Sequence, residues 1–201
     1  MKTKFTNDFY SNELKEIMNP FKKGNIIGLD MSLTGFGLVV LNSRNAELIN
    51  KGVIKNKNKG AKRLVEIRKE VKKAIVESEN VKLAVIEGYA YGRNVGRFFD
   101  MGELGGVIKQ CLYLKKIPYI IISPLMLKKW ITGSARGDKS VILMKIFKKF
   151  KVELEDNNIG DAYVLARIGY VLNKMARKKV GIENIHSYQE ECIKTIIKKR
   201  K

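Results

Sequence analysis

The chain has few of the residues on which many catalytic and structural chemistries depend. Its 201 residues include only two cysteines, Cys111 and Cys192, and one histidine, His186. Two cysteines do not make the disulfide framework of a small secreted scaffold. The histidine lies in a basic segment near the C-terminus, which is more typical of a surface residue than of a general base. We find no signal-peptide pattern and no apolar run long enough to span a bilayer, so a membrane protein is not expected.

Acidic residues are also scarce, because 20 aspartates and glutamates stand against 40 lysines and arginines. The formal net charge is +20, and a charge of this size destabilises a compact fold by self-repulsion unless a polyanion neutralises it. Nucleic acid is therefore the expected partner, and an anionic membrane surface is the weaker alternative. A hydrophobic content of 45% in 201 residues is enough for one domain with a core.

Apolar periodicity predicts three consecutive strands followed by alternating helices and strands, which is typical of a mixed sheet with helices on its faces. The predicted strands are residues 25–30, 38–41, 47–54, 81–87 and 118–122, and the predicted helices are residues 64–75, 104–112, 124–130, 141–150 and 161–173. Glycine-containing loops are predicted at residues 88–99 and 132–139. We divide the chain into an N-terminal extension (1–24), an α/β domain (25–173) and a basic C-terminal tail (174–201).

Three carboxylates occupy positions where an apolar pattern ends or begins. Asp30 and Glu87 each close a run of strand-like apolar residues, and Asp161 opens a helical pattern. Acids at the ends of core strands are costly unless something pairs with them. If the two strands are neighbours, the carboxylates converge into an oxygen cage that suits Mg²⁺ or Mn²⁺, and two such ions support phosphodiester hydrolysis. The alternative is that these acids are solvated strand ends or salt-bridge partners.

Two groups of basic residues are candidate contacts to nucleic acid. Lys57 and Lys59 lie in a polar loop before the first helix, and Arg93 and Arg97 lie with Tyr91 in the loop that follows the fourth strand. Lysine and arginine neutralise phosphates without reading the base sequence. An aromatic side chain beside an active site can stack on an exposed base, and Tyr91 is the candidate for that role. Each group could instead be a solvated surface or a disordered arm.

Several motifs, taken together and in order, resemble the RuvC-type Holliday-junction resolvases of the ribonuclease-H-like superfamily, and especially their phage members. No single motif is specific, but their joint order covers residues 25–173. The first motif, at residues 27–37, contains Asp30, and the second ends at Glu87. The other segments that carry the resemblance are residues 102–106, the pair Ser123-Pro124 with residues 128–139, and residues 160–166.

The resemblance implies a ribonuclease-H-like α/β fold with a five-stranded mixed sheet flanked by helices. It also implies a Mg²⁺-dependent endodeoxyribonuclease that cuts Holliday junctions and other branched DNA, with Mn²⁺ able to substitute. Paired cuts in a two-fold symmetric junction imply a homodimer, with the helix from Gly102 as its interface. A bacterial or phage enzyme of this kind acts in the cytoplasm of the cell.

Individual roles follow from the same resemblance. Asp30, Glu87 and Asp161 match the family's catalytic metal ligands. Lys128 and Lys139 match lysines implicated in DNA contact and catalysis, and we assign Lys139 to stabilise charge in the transition state. The neighbouring Lys129 and Arg136 are further predicted DNA contacts.

One position departs from the family pattern. The family usually has a second acid three residues before the last one, and here that position is Asn158. An asparagine can offer an oxygen to a metal, but without charge. Asp156 or Glu155 could replace it if the loop bends inward. Helical spacing favours Asn158, which would share a helix face with Asp161, so we expect Asn158 beside the metal ions.

Other functions fit parts of the pattern. An inactive nucleic-acid-binding or RNA-processing relative would share the fold, although the presence of all three acids argues against it. Residues 28–30 with residues 34–35 also resemble the phosphate loop of actin-like ATPases, but those proteins need two such domains and a much longer chain. Strict junction resolution and broader branch cleavage both fit the motifs.

Overall fold

The computed structural model describes residues 24–89, 95–135, 139–177 and 185–198. Five strands and six helices lie in these ranges. The strands are β1 (Asn25–Asp30), β2 (Gly35–Leu41), β3 (Leu48–Lys55), β4 (Val81–Glu87) and β5 (Tyr119–Ile122). The helices are α1 (Gly60–Glu77), α2 (Val95–Leu114), α3 (Pro124–Thr132), α4 (Lys139–Phe150), α5 (Asn157–Ala176) and α6 (Ser187–Lys198).

The strands form one mixed sheet in the order β3-β2-β1-β4-β5. The strands β1, β2 and β3 are antiparallel neighbours, whereas β4 is parallel to both β1 and β5. Leu29 lies opposite Ile86 in the parallel pair of β1 and β4. Asp30 and Glu87 follow them, so both acids lie at the carboxyl ends of the two central strands. The predicted five-stranded mixed sheet with flanking helices is confirmed.

Side chains of the strands alternate between two cores on opposite faces of the sheet. Ile26 of β1 and Val85 of β4 belong to the core that also contains residues of α3, α4, α5 and α6. The neighbouring residues of the same strands, such as Ile27 and Ile86, point to the second core, which is covered by α1 and α2. Because every second residue of a strand shares a face, Asp30 and Glu87 lie on the same face as Ile26 and Val85. This is the face that α5 covers.

Helix α5 lies very close to the sheet because glycines leave room for its backbone. A Cβ atom on Gly28 would come within 2.6 Å of the backbone nitrogen of Ala166. A Cβ atom on Gly37 would come within 2.6 Å of the carbonyl carbon of Asn158. Gly37 is the cross-strand partner of Asp30. The first turn of α5 is therefore held above the end of β1.

Three element boundaries differ from the sequence prediction. The strand β2 begins at Gly35, three residues before the predicted start at residue 38, because its ladder with β3 starts there. The helix α2 begins at Val95, so the loop predicted to extend through residue 99 is too long. Extending an existing helix by one turn costs little free energy, because the unfavourable step in helix formation is nucleation. The helix α5 begins at Asn157, one turn earlier than predicted, because Asp156 caps it.

The helix α6 adds to the core on the face of α5. Its apolar side, formed by Cys192, Ile193, Ile196 and Ile197, is buried there. The Gln189 side-chain amide donates a 3.2 Å hydrogen bond to the carbonyl oxygen of Trp130 in α3. The domain division at residue 174 stays a prediction, while apolar residues beyond it share this core. Among the helices of the described ranges, none combines the length and the apolar character needed to cross a bilayer.

Candidate active site

The predicted catalytic acids lie at one end of the sheet, on or next to its α5 face. Asp30 is the last residue of β1 and Glu87 is the last residue of β4, and neighbouring strands lie about 5 Å apart. Asp161 lies in the second turn of α5, which packs on β1. Asp30 and Asp161 are only 5% and 6% exposed, and Glu87 is partly buried. Carboxylates are rarely buried to this extent, so their location calls for a functional explanation.

Asn158 lies one helical turn before Asp161, on the same side of α5. Its backbone lies over Gly37, the cross-strand partner of Asp30. A Cβ atom on Gly35 would lie 3.1 Å from the Asn158 side-chain nitrogen, so the amide extends along β2. The first turn of α5 thus brings an amide group to the end of the sheet that carries Asp30.

Asp156, the alternative fourth ligand, is engaged at the start of α5. Its Oδ1 atom accepts hydrogen bonds from the backbone nitrogens of Asn158 at 2.7 Å and Ile159 at 3.4 Å. Gly160 does not interrupt the helix, and a Cβ atom there would come within 2.6 Å of the Leu143 side chain in α4. Close packing of α4 therefore explains a glycine that helix propensity alone disfavours.

The side chains at this edge have the chemistry of a site for a hard divalent cation. Carboxylate and amide oxygens are the ligands that Mg²⁺ and Mn²⁺ prefer. Across the described ranges, no group of three or more His, Cys, Asp or Glu side chains is close enough together to hold a metal ion. The fold thus gathers suitable oxygen donors at one edge, and their assignment as a ligand set stays a prediction.

A basic cleft lies beside this edge, along β2 and the loop before α1, with a volume of about 550 Å³. Lys57 and Lys59, both predicted DNA contacts, line it, and Asn158 connects it to the first turn of α5. The full lining is Ser32, Thr34, Gly35, Val53, Lys55, Asn56, Lys57, Asn58, Lys59, Arg63, Asp156 and Asn158. A positively charged cleft next to buried acids can hold a polyanion against a catalytic centre.

The loop of the basic cleft is held by a network that the sequence analysis missed. The side-chain amides of Asn56 and Asn58 donate hydrogen bonds of 2.9 and 2.6 Å to Glu66 Oε2. The backbone nitrogen of Asn58 donates to Asn56 Oδ1 at 2.8 Å. The hydrogen bonds from Asn58 and then Asn56 lower the pKa of Glu66. An Asn-x-Asn pattern before a helix is typical of a side-chain-capped turn, and this signal could have found the network.

The predicted basic contacts after β5 are only partly described. Lys128 and Lys129 lie in α3, which starts at the acid-bearing end of the sheet. Lys129 Nζ forms a close ion pair with Glu191 of α6, and this hydrogen bond raises the pKa of Lys129. Local sequence offers no signal for this pair, because its members are 62 residues apart. Lys139 is the first residue of α4, but its side chain lies outside the described residues, as does Arg136.

The predicted stacking residue Tyr91 and its neighbour Arg93 lie outside the described residues, and so does the side chain of Arg97. The adjacent aromatic, Tyr89, is turned towards α2. Its ring lies 5.3 Å from Lys109 Nζ and makes an edge contact with Phe98 at a centroid distance of 6.0 Å. These contacts make Tyr89 part of the packing between β4 and α2.

Solved structures share this fold. The structure of T. thermophilus RuvC in complex with a Holliday junction substrate matches with a TM-score of 0.64 and 16% identity, covering 78% of this chain and 95% of that one. The yeast mitochondrial Holliday junction resolvase matches with a TM-score of 0.59 and 11% identity, covering 94% and 99% of the two chains. The architecture is therefore the ribonuclease-H-like fold, as the resemblance implied.

Sequence comparison identifies the family. The family model described as crossover junction endodeoxyribonuclease RuvC matches residues 26–170. The RuvC protein of Carboxydothermus hydrogenoformans is 26% identical over 151 residues, which cover 73% of this chain and 95% of the relative. The RuvC protein of Petrotoga mobilis is 26% identical over 147 residues, covering 70% and 90% of the two chains. The chain belongs to the RuvC family of crossover junction endodeoxyribonucleases.

Family membership confirms two predictions drawn from the motifs, that the chain is a RuvC-type Holliday-junction resolvase and that it is an endodeoxyribonuclease. An inactive relative or an ATPase fragment is not favoured. The helix α6 begins at Ser187, beyond the last residue matched by the family model, so its contact with α3 is an addition to the matched region.

Proposed function

We propose that this protein cuts Holliday junctions and other branched DNA with Mg²⁺ as its metal ion, and that Mn²⁺ can replace Mg²⁺. The observation that carries this proposal is the register of β1 and β4, in which Asp30 and Glu87 end neighbouring parallel strands beneath the helix that bears Asp161. We also infer that it acts in the cytoplasm of a bacterium or phage host, where such DNA is found.

The residues at this edge have complementary roles in the proposed reaction. When bound, two divalent ions activate a water molecule and stabilise the leaving oxygen of the phosphodiester. Asp30, Glu87 and Asp161 would hold these ions with their carboxylate oxygens, because β1, β4 and α5 bring all three to the same end of the sheet. Asn158 would add a neutral oxygen. The burial of Asp30 and Asp161 keeps bulk water from the ligand side and strengthens their attraction for cations.

A cationic side chain near the reacting phosphate completes the proposed site. Lys139 at the start of α4 would offset the negative charge that develops on the phosphate in the transition state. The start of α4 packs near the start of α5, since Leu143, four residues later, contacts Gly160. This backbone position supports the assignment.

Basic residues on both sides of the acids would bind the DNA backbone. Lys57 and Lys59 lie in the basic cleft on one side, and Lys128 in α3 lies on the other. A strand crossing the acids would therefore meet positive charge before and after the cut. The remaining proposed contacts are Lys129, Arg136, Arg93, Arg97 and the base-stacking Tyr91. They would confer affinity more than sequence preference.

A homodimer would match the two-fold symmetry of a four-way junction, and α2 is its proposed interface. Phe99 and Tyr113 are 66% and 80% exposed on this helix. A Cβ atom on Gly102 or Gly106 would have no neighbour within 4 Å. These four residues recur at helical spacing along one exposed side, where small residues would let a partner helix approach closely. Light scattering of the wild type and of Tyr113→Asp tests this proposal, which a monomeric wild type would overturn.

The test of the proposed activity uses a labelled four-way junction and a linear duplex of the same sequence, each with Mg²⁺, Mn²⁺ or EDTA. We expect paired nicks at symmetric positions of the junction in the presence of either ion. We expect the duplex and the EDTA samples to stay intact. Equal cutting of the duplex, or cutting in EDTA, would contradict the proposal.

A further inference from the structure

The charged side chains that line the basic cleft are mostly cationic. Four of the side chains that line it are cationic, namely Lys55, Lys57, Lys59 and Arg63, and one is acidic, Asp156. The Asp156 carboxylate already accepts two backbone hydrogen bonds at the start of α5. The cleft is therefore a concave cationic surface, which suits an anionic ligand.

Arg63 is the residue whose environment points most clearly to such a ligand. Its side chain is only 12% exposed, and its Nη2 atom donates a 3.1 Å hydrogen bond to Asp100 of α2. Its Nε atom is buried and has no hydrogen-bond acceptor among the residues that the structure describes. A buried N–H group without an acceptor is costly. The guanidinium lines the cleft and is held there by Asp100, and its planar set of N–H donors suits a phosphate oxygen that enters the cleft.

The start of α1 adds backbone donors at the same place. The helix begins at Gly60, and its N-cap residue is Lys59, which makes no side-chain capping hydrogen bond. The first turn contains no acidic residue. The first N–H groups of an 18-residue helix are thus available to an anion beside Arg63. The hydrogen bonds from Asn56 and Asn58 to Glu66 fix the loop that leads into this helix.

The cleft lies a short distance from the acids along β2. Gly35 lines the cleft, and Gly37, two residues later, pairs with Asp30. Two strand residues span about 7 Å. Successive phosphates of one DNA strand are spaced by about 3.4 Å along the helix axis. Because successive phosphates are further apart through space than along the axis, a phosphate in the cleft would be about one or two nucleotides from a phosphate held at the acids.

We propose that the basic cleft binds one backbone phosphate of the DNA strand that is cut, and that this contact sets which phosphate reaches the acids. The choice of the cut strand rests on the proposed function. The binding of a phosphodiester by Arg63, Lys57, Lys59 and the start of α1 does not.

The test replaces one phosphate at a time in the cut strand of a four-way junction with an uncharged methylphosphonate. Binding to the full-length protein is measured by fluorescence anisotropy in EDTA, and cutting is measured separately with Mg²⁺. We expect the wild type to lose about tenfold in affinity at one position within about three nucleotides of the cut, as for one charge-assisted hydrogen bond. In Arg63→Gln, methylphosphonate substitution at that position should no longer lower the affinity, while substitution at the other sensitive positions should still lower it. The slope of log affinity against log salt should fall by about one.

Two variants serve as controls. Lys72→Gln removes one exposed positive charge from α1 outside the cleft. Its affinity should depend on the position of the methylphosphonate as that of the wild type does. Asp100→Asn removes the ion-pair partner of Arg63 but leaves the guanidinium, and should also keep the position-specific loss. If Arg63→Gln lowers the unfolding temperature, the double variant Lys57→Gln/Lys59→Gln provides the same comparison, because both lysines are exposed.

The proposal is wrong if Arg63→Gln and the double lysine variant both keep the loss at the same phosphate. It is also wrong if no phosphate near the cut is sensitive in the wild type. Because binding is measured without metal, failure of the nuclease proposal is a separate result. If the wild type does not cut the junction but loses affinity at one phosphate position, the nuclease proposal is contradicted and the phosphate-binding proposal is supported.

Discussion

Asn158 of α5 lies directly over Gly37 of β2, with no room for a side chain between them. A Cβ atom on Gly37 would come within 2.6 Å of the Asn158 carbonyl carbon. Because Gly37 pairs with Asp30, this contact brings the first turn of α5 to the first proposed metal ligand. A glycine in one strand thereby positions a helix over the acid of its neighbour.

Gly37→Ala should destabilise the protein by about 1–3 kcal/mol, as overpacking usually does, and should lower the rate of junction cutting because α5 is pushed away from Asp30. The matched control is Gly52→Ala in β3, where a Cβ atom would meet nothing within 4 Å. Urea unfolding measures both free energies. If both variants lose the same free energy of unfolding, the close contact between Gly37 and Asn158 does not contribute specifically to stability.

Asp30→Asn should abolish cutting while binding of the junction stays the same or tightens. The carboxylate is assigned to metal, whereas lysines and arginines hold the DNA, and removing a negative charge near phosphates lowers repulsion. Cutting is measured at saturating protein with Mg²⁺, and binding is measured in EDTA. A variant that cuts at the wild-type rate would make the metal assignment untenable.

The two candidates for the fourth ligand should respond differently. Asp156→Asn should leave cutting and stability nearly unchanged, because asparagine caps a helix as well as aspartate does, whereas Asp156→Ala should cost about 1 kcal/mol of stability. Asn158→Asp should keep or raise the Mg²⁺-dependent rate, since it restores a charged oxygen. A loss of cutting by orders of magnitude in a stably folded Asp156→Asn protein would reassign the ligand to Asp156.

The helix α6 should behave as part of the cooperative core. Ile193 is fully buried, so Ile193→Ala should lower the free energy of unfolding by about 2–5 kcal/mol. Thr195→Ala, at an exposed position of the same helix, should change it by less than about 0.5 kcal/mol. The comparison uses chemical unfolding of the full-length protein. If Ile193→Ala is as stable as the wild type, α6 is a dissociable tail.

The thiol of Cys192 should make stability depend on pH in the alkaline range. Burial raises the pKa of Cys192 to about 11 from its ordinary value of 9.0. Between these values the unfolded chain loses a proton that the folded protein keeps, so the free energy of unfolding falls as pH rises. The total loss is on the order of 2–3 kcal/mol, because each pKa unit corresponds to about 1.4 kcal/mol. Cys192→Ala removes this contribution, so its stability should fall less than that of the wild type between pH 9 and 11, as measured by chemical unfolding; parallel curves would contradict the assignment.

Local sequence was sufficient for much of the architecture. Apolar alternation and continuous apolar runs located the five strands of the described sheet, because a strand buried on one face alternates and a strand buried on both faces is apolar throughout. The same pattern singled out Asp30, Glu87 and Asp161, because burying a carboxylate next to an apolar run is energetically unfavourable and such acids are therefore rare. Motif order was enough to identify the family, because it depends on the sequence of elements along the chain.

Relationships between distant residues were decided only by the tertiary structure. The ion pair of Lys129 with Glu191 joins residues 62 apart. The burial of Arg63 and its ion pair with Asp100, 37 residues away, likewise depend on elements that pack from elsewhere in the chain. Periodicity reports which face of an element is buried, but not which element buries it. The element type could therefore be predicted from sequence, whereas the neighbours of each charged side chain required the packed fold.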